Sequence, residues 1–418
     1  MKKLLSKIVG FFSKEHMPKY IVVTAAFLVM LGVLLYLATT EVVSNVFGTI
    51  VGFTISSMFL YMFKIVAGYL EDTTKINYDT EELLALYHGG TDYRKTLKSQ
   101  DTKVEFAYAP VLINKGYDFK VVDDPEKHLE LDSFIAGNYT ALFAAHATSA
   151  KKNFDTIRLD RYDADTNTFY LSRSTYFNHL VTNRAVDFEI MDDVSLRTVF
   201  EYGPRLNPLE ESKMSNHIGI NALVFLSDGH MLLPRRKNDS TISKNKITSS
   251  IAVMLNFPKE HAADTKHATI TADYLLRGNI IKNLSDRVKL PEKAINEDNV
   301  QIAFLGFGQN IYEGGKPQFY FAVKINDIDS QTYFAKKAEY EEEQKLLNEK
   351  QILDVDRCMY VADYSSFSYE KNGVKFTVYD AKGNTSTVKA GYEMSFLCNL
   401  WHYEKTKDAA KAKHQREQ

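Results

Sequence analysis

Residues 218–236, which read IGINALVFLSDGHMLLPRR, decide the predicted fold. Two apolar runs in this segment are separated by Ser-Asp-Gly at 227–229, and a short polar turn between apolar runs is typical of a β-hairpin. A basic loop follows, and residues 249–257 (SSIAVMLNF) then predict another strand. The middle of the chain is therefore predicted to be a hairpin, a loop and a strand in succession.

A helix with one buried face is predicted next, because apolar residues recur every fourth position along 271–288. These residues are Leu276, Ile280, Leu284 and Val288. Strands are predicted again at 103–113, 301–308 and 318–326, and a last hairpin turns through 382–384. This pattern predicts an α+β domain in which helices flank a mixed sheet.

The length of 418 residues indicates two or three domains. A stretch with two prolines at 203–212 (GPRLNPLEES) marks a candidate boundary near residue 205. We therefore predict an α+β connecting or sensor subdomain over 73–205 and a second α+β domain over 206–400. The charged tail at 401–418 is predicted to be disordered.

Two uncharged apolar stretches near the N-terminus predict a two-helix transmembrane hairpin over 20–72. The first, at 20–38, reads YIVVTAAFLVMLGVLLYLA, and the second, at 46–63, reads VFGTIVGFTISSMFLYMF. About 20 apolar residues suffice to cross a bilayer. The first stretch could instead be a cleaved signal peptide, but the second span follows at once and no clear small-residue cleavage site is present.

The distribution of lysines predicts the orientation of this hairpin. Five lysines lie in the leader at 1–19, the loop between the spans has none, and Lys64 and Lys75 follow the second span. The positive-inside rule then places both termini in the cytoplasm. The leader is either a basic amphipathic helix on the membrane surface or an unstructured segment.

The second span places Gly48, Gly52 and Ser56 at a spacing of four. Small residues at this spacing let helix backbones approach closely. They could pack within the hairpin or between chains, which would give a homo-oligomer in the lipid bilayer. Two spans cannot enclose a pore alone, so any pore would need several copies.

Several function classes are excluded by composition and motifs. A net charge of -2 argues against binding a DNA or RNA polymer nonspecifically. Cys358 and Cys398 are far apart and fit neither a zinc site nor a disulfide framework. The sequence GFGQNI has Gly306 and Gly308 but no third glycine, so it fails as a dinucleotide fingerprint. Without a Walker A motif or a nucleophile elbow either, we predict no catalytic residue, no metal and no conventional cofactor.

The end of the predicted helix, at 282–290, reads KNLSDRVKL. Together with the preceding strands it resembles the Nudix fold, over roughly residues 210–390. The Nudix motif runs Gly, five residues, Glu, seven residues, then Arg-Glu-apolar-x-Glu-Glu-x-Gly-apolar. Leu284 and Leu290 match its apolar positions, Lys282 stands for the arginine and Asp286 for one glutamate. The remaining positions are replaced, with Asn283 and Arg287 standing for the other two glutamates of the helix, Ala268 for the first glycine and Tyr274 for the first glutamate.

Nudix hydrolysis needs clustered carboxylates to hold Mg²⁺. Only one acid remains here, and the guanidinium of Arg287 would repel a metal while suiting a phosphate oxygen. The resemblance therefore implies a degenerate Nudix-like domain at 206–400 that binds an anionic nucleotide without cleaving it. The alternative is that these side chains only form a solvated helix face and loop. The predicted nucleotide-binding residues are Arg235, Arg236, Lys246, Lys282, Asn283, Asp286 and Arg287.

Two spans joined to such a domain resemble the two-transmembrane Nudix effectors of bacterial cyclic-oligonucleotide-based antiphage signalling (CBASS). The resemblance implies the bacterial inner membrane as location and a cyclic di- or trinucleotide as activating ligand. Ligand binding would then bias assembly of the hairpins and disrupt the membrane. Two alternatives stay open. One is a membrane-anchored nucleotide pyrophosphatase using acids such as Asp273, Asp286 and Glu313, and the other is a membrane scaffold that docks a protein near Glu341.

Overall fold

A computed structural model divides the chain into two compact units, Met1–Lys75 and Ile76–Gln418. In the first unit, Gly52 and Ser56 are helical and exposed, whereas Gly48 and nearly all of the predicted leader and spans lie outside the described residues. The architecture below is that of the second unit. The structure describes residues 52–53, 56–57, 75–89, 92–99, 101–146, 152–236, 245–261, 265, 268–296, 298–347, 358–370 and 373–417.

The helices of the described residues are α1 (Thr80–Leu86), α2 (Ser133–Gly137), α3 (Tyr139–Ala144), α4 (Tyr176–Val181), α5 (Leu196–Phe200), α6 (Asn279–Val288), α7 (Ser330–Leu347) and α8 (Met394–Glu417). Side-chain caps begin several of them. The carboxylate of Asp79 accepts the first N–H groups of α1, and Ser195 and Thr198 form a capping box at α5. A π-helical turn, Tyr274–Gly278, leads directly into α6.

The strands of the described residues are β1 (Arg94–Ser99), β2 (Thr102–Ala107), β3 (Ala109–Ile113), β4 (Lys120–His128), β5 (Asp155–Asp163), β6 (Thr168–Thr175), β7 (Gly219–Phe225), β8 (Met231–Arg235), β9 (Ile251–Met254), β10 (Val300–Asn310), β11 (Lys316–Ile325), β12 (Cys358–Glu370), β13 (Gly373–Tyr379) and β14 (Thr385–Ala390). The predicted hairpin at 218–236 is confirmed, because β7 pairs antiparallel with β8 through the turn at 227–229. The predicted amphipathic helix is also confirmed in its second half, as α6.

A nine-stranded mixed sheet forms the centre of the unit. Its order is β14-β13-β12-β8-β7-β11-β10-β3, and β9 pairs with β7 beside β8. Within it β7 and β11 run parallel, whereas the other described pairs are antiparallel. β3, from the predicted 73–205 segment, adds an edge to this sheet. Separate sheets are formed by β1-β2 and by β4-β6-β5.

Both faces of the sheet are covered. Alternate residues of β7 face opposite ways, so Ile220, Ala222 and Val224 pack with α6 on one side, and Leu223 and Phe225 pack with α8 on the other. Every residue of β7 is buried, as expected for a central strand with a parallel neighbour. The segment at 401–417, predicted to be a disordered tail, continues α8, and Trp401 packs in the core there.

The structure corrects the predicted fold class and location. No helix within the described residues is long and apolar enough to cross a membrane. The two longest helices there, α7 and α8, carry runs such as KKAEYEEEQK and EKTKDAAKAK, whose charges would be costly in a bilayer core. A two-helix transmembrane hairpin plus degenerate Nudix-like domain in the bacterial inner membrane is therefore wrong for the described part of the chain. That part is an α+β domain with a mixed sheet.

Candidate functional site

A cleft that contains several buried titratable groups opens where the parallel strands β7 and β11 begin, and its cavity has a volume of about 210 Å³. Because Gly219 lies opposite Gln318 in the parallel pair, the residues just before both strands meet in space. The helix α4 and the start of α8 also contribute to its walls. We call the space lined by His179, Arg184, His217, Glu313, Lys316 and Gln318 the central cleft.

Two histidine rings are in contact in the central cleft. His179 comes from α4 and His217 lies two residues before β7; their ring centroids are 3.6 Å apart and the ring planes are tilted by 34°. Both rings are buried, and Nδ1 of His179 and both ring nitrogens of His217 have no hydrogen-bond partner among the described residues. Burial lowers the pKa of both imidazoles well below the usual value, and the positive charges of Lys316 and Arg184 lower it further. The pair is therefore uncharged at neutral pH.

One carboxylate holds two cations in the central cleft. Arg184 Nη1 donates to Glu313 Oε1 at 3.1 Å, and Lys316 Nζ lies 3.5 Å from Glu313 Oε2. Burial alone would raise the pKa of Glu313, but the charges of Lys316 and Arg184 lower it to about 2. Burial lowers the pKa of Lys316, and the charge of Glu313 opposes that change. The carboxylate of Glu313 thus faces two cations, Arg184 and Lys316, in a site with little water. The excess positive charge there favours binding of an anion.

A third cation, Arg236, lies at the end of β8 and pairs with Glu393 at 3.2 Å. The charged side chains that line the central cleft are thus three cations and two carboxylates, which leaves one positive charge in excess. Met394 and Ser395, in the first turn of α8, line the cleft as well. The N-terminal end of a helix adds a partial positive charge.

The floor of the cleft is polar but uncharged. Asn221 Nδ2 on β7 donates to Gln318 Oε1 on β11 at 2.7 Å, and both side chains are buried. A Cβ atom on Gly219 would lie 2.0 Å from Gln318 Oε1, so the carboxamide occupies the space that any larger residue would fill. The central cleft therefore places neutral hydrogen-bonding groups beside a cationic wall.

Aromatic rings form the rim. Tyr78 is 47% exposed and stacks on Tyr312, with ring centroids 6.1 Å apart and an interplanar angle of 24°. Tyr176 also lines the cleft, and it stacks on Phe154 at 4.9 Å and 7°. Exposed or half-exposed rings at a cleft mouth offer flat apolar faces to a planar ligand.

The structure disperses the predicted nucleotide-binding residues, and only two of them lie at the central cleft. Arg236 lines the central cleft, and Lys246 Nζ lies 5.4 Å from the ring centroid of Tyr78 at its rim. Arg235 is directed elsewhere, since its Nε donates to the carbonyl of Asn245 at 3.1 Å. The basic loop thus contributes one wall residue and one rim residue to the cleft.

The predicted residues on α6 lie at a different cavity, of about 430 Å³. Lys282 lines it and donates through Nζ to the carbonyl of Phe257, and burial lowers its pKa. The charged residues around this cavity balance, with Lys259 and Lys282 against Glu260 and Glu292.

The other three predicted residues of α6 do not line either of these two cavities. Asn283 donates to the carbonyl of Asn279 at 2.7 Å, exposed Asp286 accepts from Tyr340 Oη at 3.2 Å, and Arg287 is half-buried. Lys289, at the glycine position of the Nudix motif, has a φ of 60° and ends the helix in the left-handed conformation that glycine usually provides.

The acids named for the enzymatic alternative are also dispersed. Glu313 lies in the central cleft, Asp286 faces α7, and Asp273 is exposed before the π-helical turn. In the described part of the chain, no group of three or more His, Cys, Asp or Glu residues is placed to hold a metal ion.

Sequence reasoning missed most of the central cleft, namely His179, Arg184, His217 and Lys316. These residues lie in three separate parts of the sequence, at 179–184, 217 and 316, and form no local motif. One signal was available in two fragments, HIGIN at 217–221 and GGKPQ at 314–318. Their polar residues lie just before or at the start of strands that were predicted correctly. It becomes informative only once the parallel pairing of β7 and β11 is known.

No family model matches the chain, and no curated protein matches it in sequence. The inference of function therefore rests on the residues of the central cleft.

Proposed function

We propose that the central cleft binds a nucleotide and that the chain acts as a nucleotide sensor rather than as an enzyme. The observation that carries the proposal is the excess of one positive charge, from Arg184, Lys316 and Arg236 over Glu313 and Glu393, beside the uncharged histidine pair. The cations would hold phosphate oxygens by charge-assisted hydrogen bonds. The amide floor and aromatic rim would hold a base, so the cleft combines both halves of a nucleotide site.

A cyclic di- or trinucleotide is the ligand class that the resemblance to the CBASS effectors implies. The cavity of about 210 Å³ is smaller than the roughly 300–1,000 Å³ typical of sites for drug-sized ligands. A cyclic oligonucleotide would therefore place one nucleotide inside the central cleft and leave the remainder at the rim, near Tyr78 and Lys246.

Isothermal titration of the full chain with cyclic dinucleotides, cyclic trinucleotides and linear nucleotides tests the proposal. A ligand at a hundred times its Kd should also add about 2.7 kcal/mol to the free energy of unfolding. Arg184→Gln removes a charge-assisted contact and should weaken binding by about tenfold or more. Lys316→Met provides a second variant if Arg184→Gln fails to fold.

Matched controls separate the central cleft from the rest of the surface. Arg161→Gln removes an exposed arginine outside the cleft and should leave Kd unchanged. Lys282→Gln and Arg287→Gln should also leave it unchanged, since neither residue lines the central cleft. If these α6 variants weaken binding while Arg184→Gln and Lys316→Met do not, the ligand binds at α6. If no nucleotide binds at all, the proposal fails.

The effector role in antiphage signalling and the homo-oligomer stay predictions. Light scattering of the chain with and without a bound cyclic nucleotide tests whether the ligand changes assembly. The pyrophosphatase alternative has its own test, which is incubation with Mg²⁺ and the same nucleotides. Turnover that is lost in Asp286→Ala would favour that alternative over a sensor.

A further inference from the structure

We infer that His179 and His217 together take up one proton from solvent when an anionic ligand enters the central cleft, and that the protonated pair contacts the ligand. This inference rests on the proposed function and extends it, because nucleotide binding then becomes tighter as the pH falls. It gives the uncharged histidines a binding role beside that of the cations. Both side chains line the cavity, and they are only 3% and 2% exposed.

The two rings carry hydrogen-bonding atoms that the folded chain leaves unused. Nδ1 of His179 and both ring nitrogens of His217 have no hydrogen-bond partner among the described residues. A neutral imidazole has one N–H donor, whereas an imidazolium has two donors and a positive charge. A ligand with phosphate oxygens would therefore gain more from the protonated ring than from the neutral one.

The charges around the pair explain why a ligand would change its protonation. Burial lowers the pKa of both rings, and the positive charges of Lys316 and Arg184 lower it further. The carboxylate of Glu313 favours a proton on His217, but it is already paired with those two cations. An anion in the cavity adds negative charge beside the rings, which raises the pKa of the imidazoles. Binding of the anion and uptake of a proton therefore favour each other.

The contact between the rings limits the uptake to one proton. Their centroids are 3.6 Å apart and their planes are tilted by 34°. Two imidazolium rings in contact would repel each other, so the pair titrates as a unit and stops at one proton. Between the pKa values of the free and the occupied pair, binding should tighten by up to about tenfold for each pH unit.

Two other groups could take up a proton on binding, and the experiment has to separate them. Burial lowers the pKa of Lys316, although the charge of Glu313 opposes that change. Burial raises the pKa of Glu201 to about 7, but this residue does not line the cavity. The remaining charged or titratable side chains that face the pair or line the cleft, among the described residues, are Arg236, Glu393, Tyr78, Tyr176, Tyr312 and His146.

Isothermal titration of the full chain with cyclic di-AMP and cyclic di-GMP measures the proton uptake. These ligands carry only phosphodiester groups, which do not titrate near neutral pH, so any proton taken up is bound by the protein. Titrations at about pH 6, in two buffers that differ in ionisation enthalpy and contain no phosphate, give the number of protons exchanged. We expect net uptake of at most about one proton per ligand, and a Kd that falls about tenfold or more from about pH 8 to about pH 5.5.

Variants identify the groups that take up the proton. The double variant His179→Gln with His217→Gln keeps hydrogen-bonding side chains that do not titrate, so it should lose both the uptake and the pH dependence of Kd. The matched controls are Glu201→Gln and the exposed His88→Gln, and both should retain the uptake. Uptake that persists in the double variant, or that disappears in Glu201→Gln, would overturn the inference.

A spectroscopic measurement covers the case in which the double variant does not fold. Nitrogen-15 spectra of the unmodified chain, labelled at histidine, distinguish a neutral ring from an imidazolium. Saturation with a cyclic dinucleotide should shift histidine signals from the neutral pattern toward the imidazolium pattern. Histidine signals that stay unchanged, together with a Kd that does not depend on pH, would overturn the inference without any variant.

Sulfate separates failure of this inference from failure of the proposed function. It is an anion without a base, and it does not titrate near neutral pH. If nucleotides bind without proton uptake, the role of the histidines is wrong and the nucleotide site stands. If only sulfate binds, and it does so with proton uptake, the histidines respond to an anion and the nucleotide function is wrong. If neither ligand binds, both proposals are wrong.

Discussion

The imidazole rings of His179 and His217 are in contact in the central cleft, with centroids 3.6 Å apart and ring planes tilted by 34°. Arg184 and Lys316 repel a proton on either ring, the Glu313 carboxylate attracts one at His217, and His146 also opposes a proton on His179. The balance, together with burial, keeps both rings neutral. This arrangement links the stability of the fold to pH.

Stability should fall as the pH is lowered through the range below 6.5, the ordinary histidine pKa. The unfolded chain binds protons there that the folded chain excludes, so stability present above that pH is lost below it. His217→Gln removes one such group and should reduce the pH dependence. Urea unfolding at about pH 5 and about pH 7.5, on either side of that ordinary value, measures it. Exposed His88→Gln is the control, and an equal change in both variants would contradict the explanation.

Glu201 should make the free energy of unfolding depend on pH in the opposite direction. Burial raises its pKa from 4.5 to about 7, although hydrogen bonds from Asn207 and the charge of Arg197 oppose the increase. Between these values the folded chain keeps a proton that the unfolded chain releases, so stability is lost as pH rises.

Glu201→Gln stays neutral and should stabilise the chain above pH 7, by up to about 3 kcal/mol, with little effect below pH 4.5. Chemical denaturation across that range tests it. The exposed Glu211→Gln should show no such trend, and stabilisation that is equal at all pH values would exclude titration of Glu201 as its cause.

A buried ion pair anchors the segment that leads into α6. Arg173 donates to both carboxylate oxygens of Asp123 at 2.6 and 2.9 Å, and both side chains are almost completely buried. The same groups bind the backbone beside the π-helical turn, since Arg173 donates to the Ala268 carbonyl and Asp123 accepts from Ile270 N–H, each at 2.7 Å.

Asp123→Asn leaves the guanidinium without its negative partner and should cost about 3–5 kcal/mol. The control is Glu105→Gln, which breaks surface ion pairs with Lys103 and Arg94 and should cost much less, because water screens exposed charges. Denaturation midpoints of the two variants compare them directly. If the two variants lose similar amounts of stability, the buried ion pair contributes no more to stability than the surface pairs.

Gly306 allows β10 and β3 to approach closely. It lies in β10 with a φ of 135°, and a Cβ there would lie 2.0 Å from the carbonyl oxygen of Leu112 in β3. Gly306→Ala should therefore destabilise the chain by about 1–3 kcal/mol or more. Gly137→Ala, at the end of α2 with open space around it, should be neutral or stabilising by up to about 1 kcal/mol. Thermal unfolding distinguishes these outcomes.

Local patterns predicted several elements of the fold correctly. The hairpin of β7 and β8 follows from a polar turn between apolar runs, and α6 follows from apolar residues every fourth position. The charged tail was misjudged because composition does not reveal that Trp401 packs against the sheet. The hydropathy of 20–72 predicted spans that the described helices do not provide.

The sequence by itself determined several of the strands and helices, because turn chemistry and periodic burial act between residues close in the chain. The tertiary structure decided where the candidate site lies. Asn221 and Gln318 are 97 positions apart and meet only because β7 and β11 pair in parallel. The same pairing brings His217 and Lys316 into one cleft, whereas the basic residues of 282–290, adjacent in sequence, lie elsewhere. Charged residues that strand pairing brings together form no local sequence motif, because their proximity depends on contacts between distant segments.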